Sequence, residues 1–257
     1  MATITAPIAR PNEDRIYVIL AGLCAAIAFT AFAGTYWLQL PAGTFVGSPL
    51  IHLHGLLFSA WTLYFLWQAV LIATNRRASH RAWGLGGIAL ASAMVFTGIA
   101  VTIVGIQERI AHGQGEAGRA FAVVPLSAIL LFAIFVTAAM VNRRRTDWHK
   151  RFMLVASAAL LNAAIARFFF LAIHGGGPGM RPGLALPQPP EAALVPALLA
   201  DSVVLLGLLF DWRTRGRPHP AYLWGLGTML IVQLLRAPLG HSAAWSGFAD
   251  FLARFAG

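Results

Sequence analysis

The chain has 257 residues, of which 58% are hydrophobic and 11% charged, against about 45–50% and about 25% in a soluble domain. That imbalance excludes an ordinary water-soluble globular protein and points to a polytopic membrane protein. The formal net charge is +10, yet the bases sit in short segments between apolar runs and form no single exposed face, which argues against nucleic acid as a partner.

About 20 consecutive apolar residues carry a helix across a bilayer. Seven runs meet that length, near 16–40, 49–73, 83–106, 120–141, 151–173, 193–210 and 221–239. They are unbroken, whereas the strands of a membrane barrel alternate over about 10 residues. The expected fold is therefore all-α, one membrane domain over 1–257 with seven transmembrane helices. In the first run, "AFA" at 31–33 before Gly34 has the small-residue look of a signal-peptidase site. The length of that run and the mixed charges of "ARPNEDR" before it favour a retained span. The single cysteine, Cys24, leaves no internal disulfide and no Cys-based metal cluster to consider.

Short basic loops set orientation. With the N-terminus cytoplasmic, Arg10, Arg15, Arg76, Arg77, Arg81, Arg143, Arg144, Arg145, Lys150, Arg151, Arg213, Arg215 and Arg217 fall on the cytoplasmic side, 13 of the 19 Lys and Arg. Arg109, Arg119, Arg167, Arg181, Arg236 and Arg254 remain. The bias places the N-terminus inside and the C-terminus outside, in the inner membrane of a bacterium, and accounts for the basic charge by the lipid bilayer alone. After the seventh run, "WSGFADFLARFAG" spaces Trp245, Phe248, Phe251, Leu252 and Phe255 for one face of a helix over 243–256, expected to lie along the outer membrane surface.

Three cytoplasmic loops share a plan. "NRRASHRAWG", "NRRRTDWHKRFM" and "DWRTRGRPHPAYLWG" each place bases before a histidine where the next helix starts: His80, His149 and His219. Polar residues at a helix N-terminus and a membrane boundary explain these histidines simply. Gathered together, they form a weaker candidate metal site, since neutral imidazole ligates zinc, copper and iron.

These segments, "HRAWG", "RRRTDWHKRFMLVASAALLNAAIARF" and "YLWG" after "DWRTRGRPHP", resemble a group of uncharacterised bacterial multi-span membrane proteins, from His52 onward. "HKRFM" at a helix start is similar to a small membrane family implicated in cytochrome oxidase assembly. Histidines near both ends of a helical bundle are similar in plan to di-haem b-type membrane cytochromes. That last resemblance implies haem ligands on paired helices, whereas the fourth run here has no histidine.

The costly residues gather on the opposite side. Arg167 lies about 25 Å into the fifth run at 1.5 Å per residue, and Arg236 reaches a similar depth in the seventh. Asp201 sits near that level in the sixth, with Gln233 beside Arg236. Intramembrane ionisable residues usually face the bundle and pair, and two arginines with one acid leave an excess of cation, suited to an anionic group. In "PLIHLHGLLFSAW", His52 and His54 point about 200° apart on a helix. His54, Trp61 and Gln68 recur every seven residues, which makes His54 the inward one, and Gly55 leaves room for a flat cofactor or a helix. Arg167 and His174 are also seven apart, followed by "GGGPG". His241 and His112 complete the outer histidines.

Three readings compete for this constellation. In the first, His54 and His174 bind a non-covalent haem b, with Arg167 and Arg236 on its propionates, or His52, His54, His174 and His241 bind a transition metal ion, in a membrane redox protein. In the second, the pocket takes an anionic small molecule or lipid for transport or sensing. In the third, the ion pairs are structural and the protein is an accessory or assembly subunit of a membrane redox complex. No H-E-x-x-H, G-x-S-x-G or phosphate-binding glycine loop is present.

Overall fold

The computed structural model describes residues 11–182, 184 and 188–256. Among them there is no strand, and seven helical segments are long and apolar enough to cross a membrane. Arg10 lies outside the described residues.

The first segment is α1 (Pro11–Phe32), which runs on through a π-helical turn, Ala33–Trp37. It starts five residues before the apolar run, because "PNEDR" supplies a proline and two acids for a helix N-terminus. The "AFA" stretch lies inside this continuous helix. Helix α2 (Pro49–Ala73) has the expected bounds. Helix α3 (Arg77–Ala111) is longer than 83–106, since hydropathy bounds only the apolar part of a helix and "RASHRA" contains no breaker.

The fourth segment is two helices, α4 (Gly115–Phe121) and α5 (Val123–Val141). Pro125 explains the division: it has no N–H, and its ring crowds the carbonyl four residues back, at Phe121. The fifth segment is also divided, into α6 (Thr146–Ala159) and α7 (Leu161–His174), where the Leu160 N–H turns back to the Ser157 carbonyl at 3.3 Å. No proline or glycine marks that break. A 3₁₀ turn, Pro190–Ala193, leads into α8 (Leu194–Arg215), followed by α9 (Pro220–Gly240) and α10 (Ala243–Ala253).

Helix α6 is the hub, with Leu154, Val155, Ala156 and Ala158 completely buried among α1, α5, α8 and α9. Glycines allow the close approaches: a side chain at Gly225 would meet Val155 at 2.8 Å. The outward faces are apolar, and Leu205, Leu209, Leu230 and Leu234 are between 42% and 55% exposed. A soluble protein seldom leaves so continuous an apolar surface.

The two ends of the bundle differ. One end, called the basic end below, gathers the start of α1 and the α2–α3, α5–α6 and α8–α9 connections. Arg151 forms a bidentate pair with Asp211, 2.6 and 2.7 Å, both side chains at most 2% exposed. Glu13 holds Arg215 and Lys150, and Tyr17 and Tyr222 share a hydrogen bond of 3.1 Å. At the opposite end, Gln39 donates to the Met180 carbonyl, Gln114 to the Leu184 carbonyl, and Arg181 pairs with Glu108. Helix α10 docks there against α3 and α4. Its Ala249 and Ala253 are buried, Arg119 pairs with Asp250 and Trp245 donates to the Arg119 carbonyl. Phe248 and Phe251 stay exposed on its other face, and Phe255 is exposed in the 3₁₀ turn, Arg254–Ala256, that follows.

Candidate functional site

A cavity of about 750 Å³ opens among α1, α2, α3, α5 and α7 toward the end opposite the basic one. Its walls are largely apolar, with aromatic rings from Phe29, Phe32, Phe58, Trp61, Phe121 and Phe170 among them. That volume lies in the range of small-molecule sites, which are about 300–1,000 Å³ and mostly apolar with a few placed polar groups. The break between α6 and α7 falls on its wall, where Ser157, Leu160, Leu161 and Asn162 all take part. Trp61 donates to the Ser157 hydroxyl at 3.2 Å, fixing α2 against α6 just before the break.

Polar groups on this wall are left without partners to an unusual degree. Thr35 Oγ1, Ser48 Oγ, His54 Nδ1, Asn162 Oδ1 and Arg167 Nε are buried and make no hydrogen bond. Thr35 and Asn162 are only 5% and 6% exposed. Buried polar groups are normally satisfied, and each exception calls for a water, an ion or a ligand.

Arg167 is the one sequence-predicted cation that belongs here. One of its terminal nitrogens donates to the Ala163 carbonyl at 2.8 Å, and its guanidinium lies over the Phe32 ring, 3.9 Å from the centre. No carboxylate pairs with it among the described residues. His54 lies close enough for the Arg167 charge to act on it, and its ring packs on Phe58 at 4.0 Å. His174, the last residue of α7, is exposed but still lines the cavity, packed on Phe170 at 5.0 Å. Gly175, at φ 71°, ends that helix and turns the chain away. Trp61 lines the cavity, while Gln68 is buried deeper on the same helix with neither amide atom bonded.

Other predicted residues lie elsewhere. Arg236 does not join Arg167: its side chain is turned toward α5, where it donates to the Ser127 hydroxyl at 2.8 Å. Gln233 on the same helix donates to Asp201 on α8 at 3.1 Å, so these residues make a second, separate buried cluster. The depth of Arg236 was readable from the sequence; the face of α9 it occupies was not. His52 points away from His54 and bonds the Tyr36 hydroxyl at 3.1 Å. The space beside Gly55 is taken by the Tyr36 ring, which a side chain there would meet at 3.2 Å. His241 pairs with Glu191 at 2.7 Å on the surface, and His112 donates to the Glu108 carbonyl.

The metal-ion expectation finds no support on either side. Among the described residues no three His, Cys, Asp or Glu come together as a metal-binding group. On the outer side His52 is held by Tyr36, a residue of the cavity wall, and His241 by Glu191 on the surface. At the basic end His80 and His149 stand ring to ring with centres 6.3 Å apart, but His219 turns to Asp147 at 3.0 Å and caps α9 by accepting the Ala221 N–H. Sequence reasoning missed Thr35, Ser48 and Asn162, which look like ordinary polar residues in apolar runs. It also passed over Phe29 and Phe32, whose role depends on which face of α1 turns inward.

The described residues thus form a bundle with seven helical segments of membrane-spanning type and an internal, mostly apolar chamber with arginines on its wall. No protein-family description, curated protein or solved structure matches the chain.

Proposed function

We propose that the protein spans a membrane with its basic end in the cytoplasm and uses the cavity to bind an amphipathic molecule whose anionic group meets Arg167. The observation that carries this reading is the Arg167 guanidinium, which no carboxylate pairs among the described residues, set among four further unsatisfied polar groups on a mostly apolar wall. Arg109, Arg181 and Glu108 also line the cavity, but Glu108 is taken by Arg181, and a buried cation is costly unless something pairs with it. An incoming carboxylate or phosphate supplies that pair, and guanidinium suits either in a bidentate fork. The apolar body of the guest then lies along Phe29, Phe32, Phe58 and Phe170. Binding for transport or for sensing both fit this chemistry. The helix break at Leu160 favours a binding role, because interrupted helices commonly form sites in the middle of membrane proteins. The proposed test is mass spectrometry of small molecules retained by the purified protein. An amphipathic anion retained by the wild type and lost from Arg167→Gln supports the reading; equal retention by both counts against it.

A second reading is non-covalent haem b, itself an amphipathic anion, in a membrane redox protein. What favours it is that His54 and His174 line the same chamber as Arg167. Under this reading His54 or His174 would hold the iron and Arg167 a propionate. Oxidised and reduced absorption spectra of the purified protein decide it: a haem spectrum sensitive to His54→Ala supports it, and a colourless protein removes it.

A further inference from the structure

A second hollow lies on the outside of the bundle, between α3 and α5. It is an open groove of about 730 Å³, with Ala91 and Phe132 as its floor and Ile88, Phe96, Val136 and Met140 along its walls. From Ile88 to Phe96 it follows α3 for about 12 Å. Its only charged lining residue is Arg143, just past the end of α5, at the basic end.

The charges around that end are unevenly shared. Every acid there is taken up on the α1, α6, α8 and α9 side. Glu13 holds Lys150 and Arg215, Asp14 lies by Lys150, Asp211 holds Arg151, and Asp147 holds His219. On the α3 and α5 side, Arg76, Arg77, Arg143 and Arg144 are exposed and pair with no acid among the described residues. An apolar trough about two helical turns long on the α3 side therefore ends at an uncompensated cationic corner.

We infer that this groove holds one acyl chain of an anionic phospholipid, with the lipid phosphate at Arg143 and Arg144. The match is in both parts of the guest: hydrocarbon fits a trough open to the side, and a negative headgroup fits the corner where no acid answers the arginines. Basic pockets between helices on the cytoplasmic side are known to select anionic lipids in this way. A second copy of the chain is a poor occupant by comparison, since its own basic corner would face this one. The inference rests on the groove and on the membrane reading, and is independent of what fills the internal cavity.

The experiment is native mass spectrometry of the full chain in mild detergent, titrated with phosphatidylglycerol and phosphatidylcholine carrying identical acyl chains. We expect at least about a fivefold preference for phosphatidylglycerol. In Arg143→Gln/Arg144→Gln the preference disappears while weak binding of both lipids remains. In Ala133→Leu, which narrows the groove, binding of both lipids weakens. Arg217→Gln, an exposed change in the α8–α9 connection, leaves the preference intact. A preference that survives the double substitution, no preference in the wild type, or a dimer that Ala133→Leu dissociates would each overturn the assignment.

Discussion

Arg167 sets its guanidinium carbon 3.9 Å from the centre of the Phe32 ring, and that ring and the Ala163 carbonyl are the contacts it makes on the cavity wall. A cation on an aromatic face gains about 2 kcal/mol when desolvated, whereas an arginine costs up to about 2.5–3.5 kcal/mol on insertion scales, the full figure applying at the centre of a span. At the full figure the cost is the larger of the two. Arg167→Met is therefore expected to leave the ligand-free protein as stable as the wild type or about 1 kcal/mol more stable. Thermal unfolding in detergent, after removal of bound small molecules, checks this. A clear loss of stability would make Arg167 a structural residue.

The opposite outcome is expected at the Arg151–Asp211 pair, where both partners are buried and doubly hydrogen-bonded. Removing one partner of such a pair leaves an unpaired buried charge and costs about 3–5 kcal/mol. Asp211→Ala should show that loss in the unfolding midpoint. Arg151→Met combined with Asp211→Leu should recover most of it, because the desolvation cost goes with the charges.

His219 gives the pH dependence a direction. Its Nδ1 accepts the Ala221 N–H while Nε2 donates to Asp147, which fixes the neutral ring. Burial holds its pKa below the usual histidine range, opposed by the hydrogen bond it donates to Asp147. The folded state thus resists a proton that the unfolded chain accepts near about pH 6.5. This contribution is complete above that pH and is lost as pH falls below it toward the folded pKa. Unfolding midpoints from about pH 7.5 down to about pH 5 should fall in the wild type and fall less in His219→Asn, which keeps a capping side chain.

Gly240 tests how tightly the end opposite the basic one is closed. A side chain there would meet the Ala120 main-chain oxygen at 2.7 Å and Pro190 and Val123 at 3.2 Å. Since backbone cannot step aside as a side-chain tip can, Gly240→Ala is expected to cost about 1–3 kcal/mol. Gly227→Ala, with open space around it, serves as the neutral control in the same unfolding assay.

The spans were legible because hydropathy over 20 residues depends on composition alone, and α2 matches its apolar run from Pro49 to Ala73. Helix ends were less so, as α3 shows by taking in the polar residues 77–82. In the site, the seven-residue spacing of His54 and Trp61 placed both on one stripe of α2, and both line the cavity. Arg167 and His174 share it for the same reason. Arg236 is a different case. Depth along a helix follows from counting, but whether two arginines on α7 and α9 meet depends on how those helices are rotated and which neighbours lie between them. Spacing within one helix carries no such information, and the same holds for the histidines thought to gather at each end. The unpaired Thr35, Ser48 and Asn162 could be recognised only once the surrounding side chains were in place.

The central claim is that Arg167 makes the cavity selective for an anionic head on an apolar body, and the most direct measurement is a comparative titration. A fluorescent long-chain carboxylate and the alcohol of the same chain length are each titrated into the purified protein and into Arg167→Gln. A charge-assisted hydrogen bond contributes about 1.5–3 kcal/mol, which corresponds to about a 10- to 100-fold preference for the carboxylate. The account predicts that preference in the wild type and its disappearance in Arg167→Gln, with alcohol binding unchanged. Equal affinities in the wild type, or a preference that persists in the variant, would contradict it.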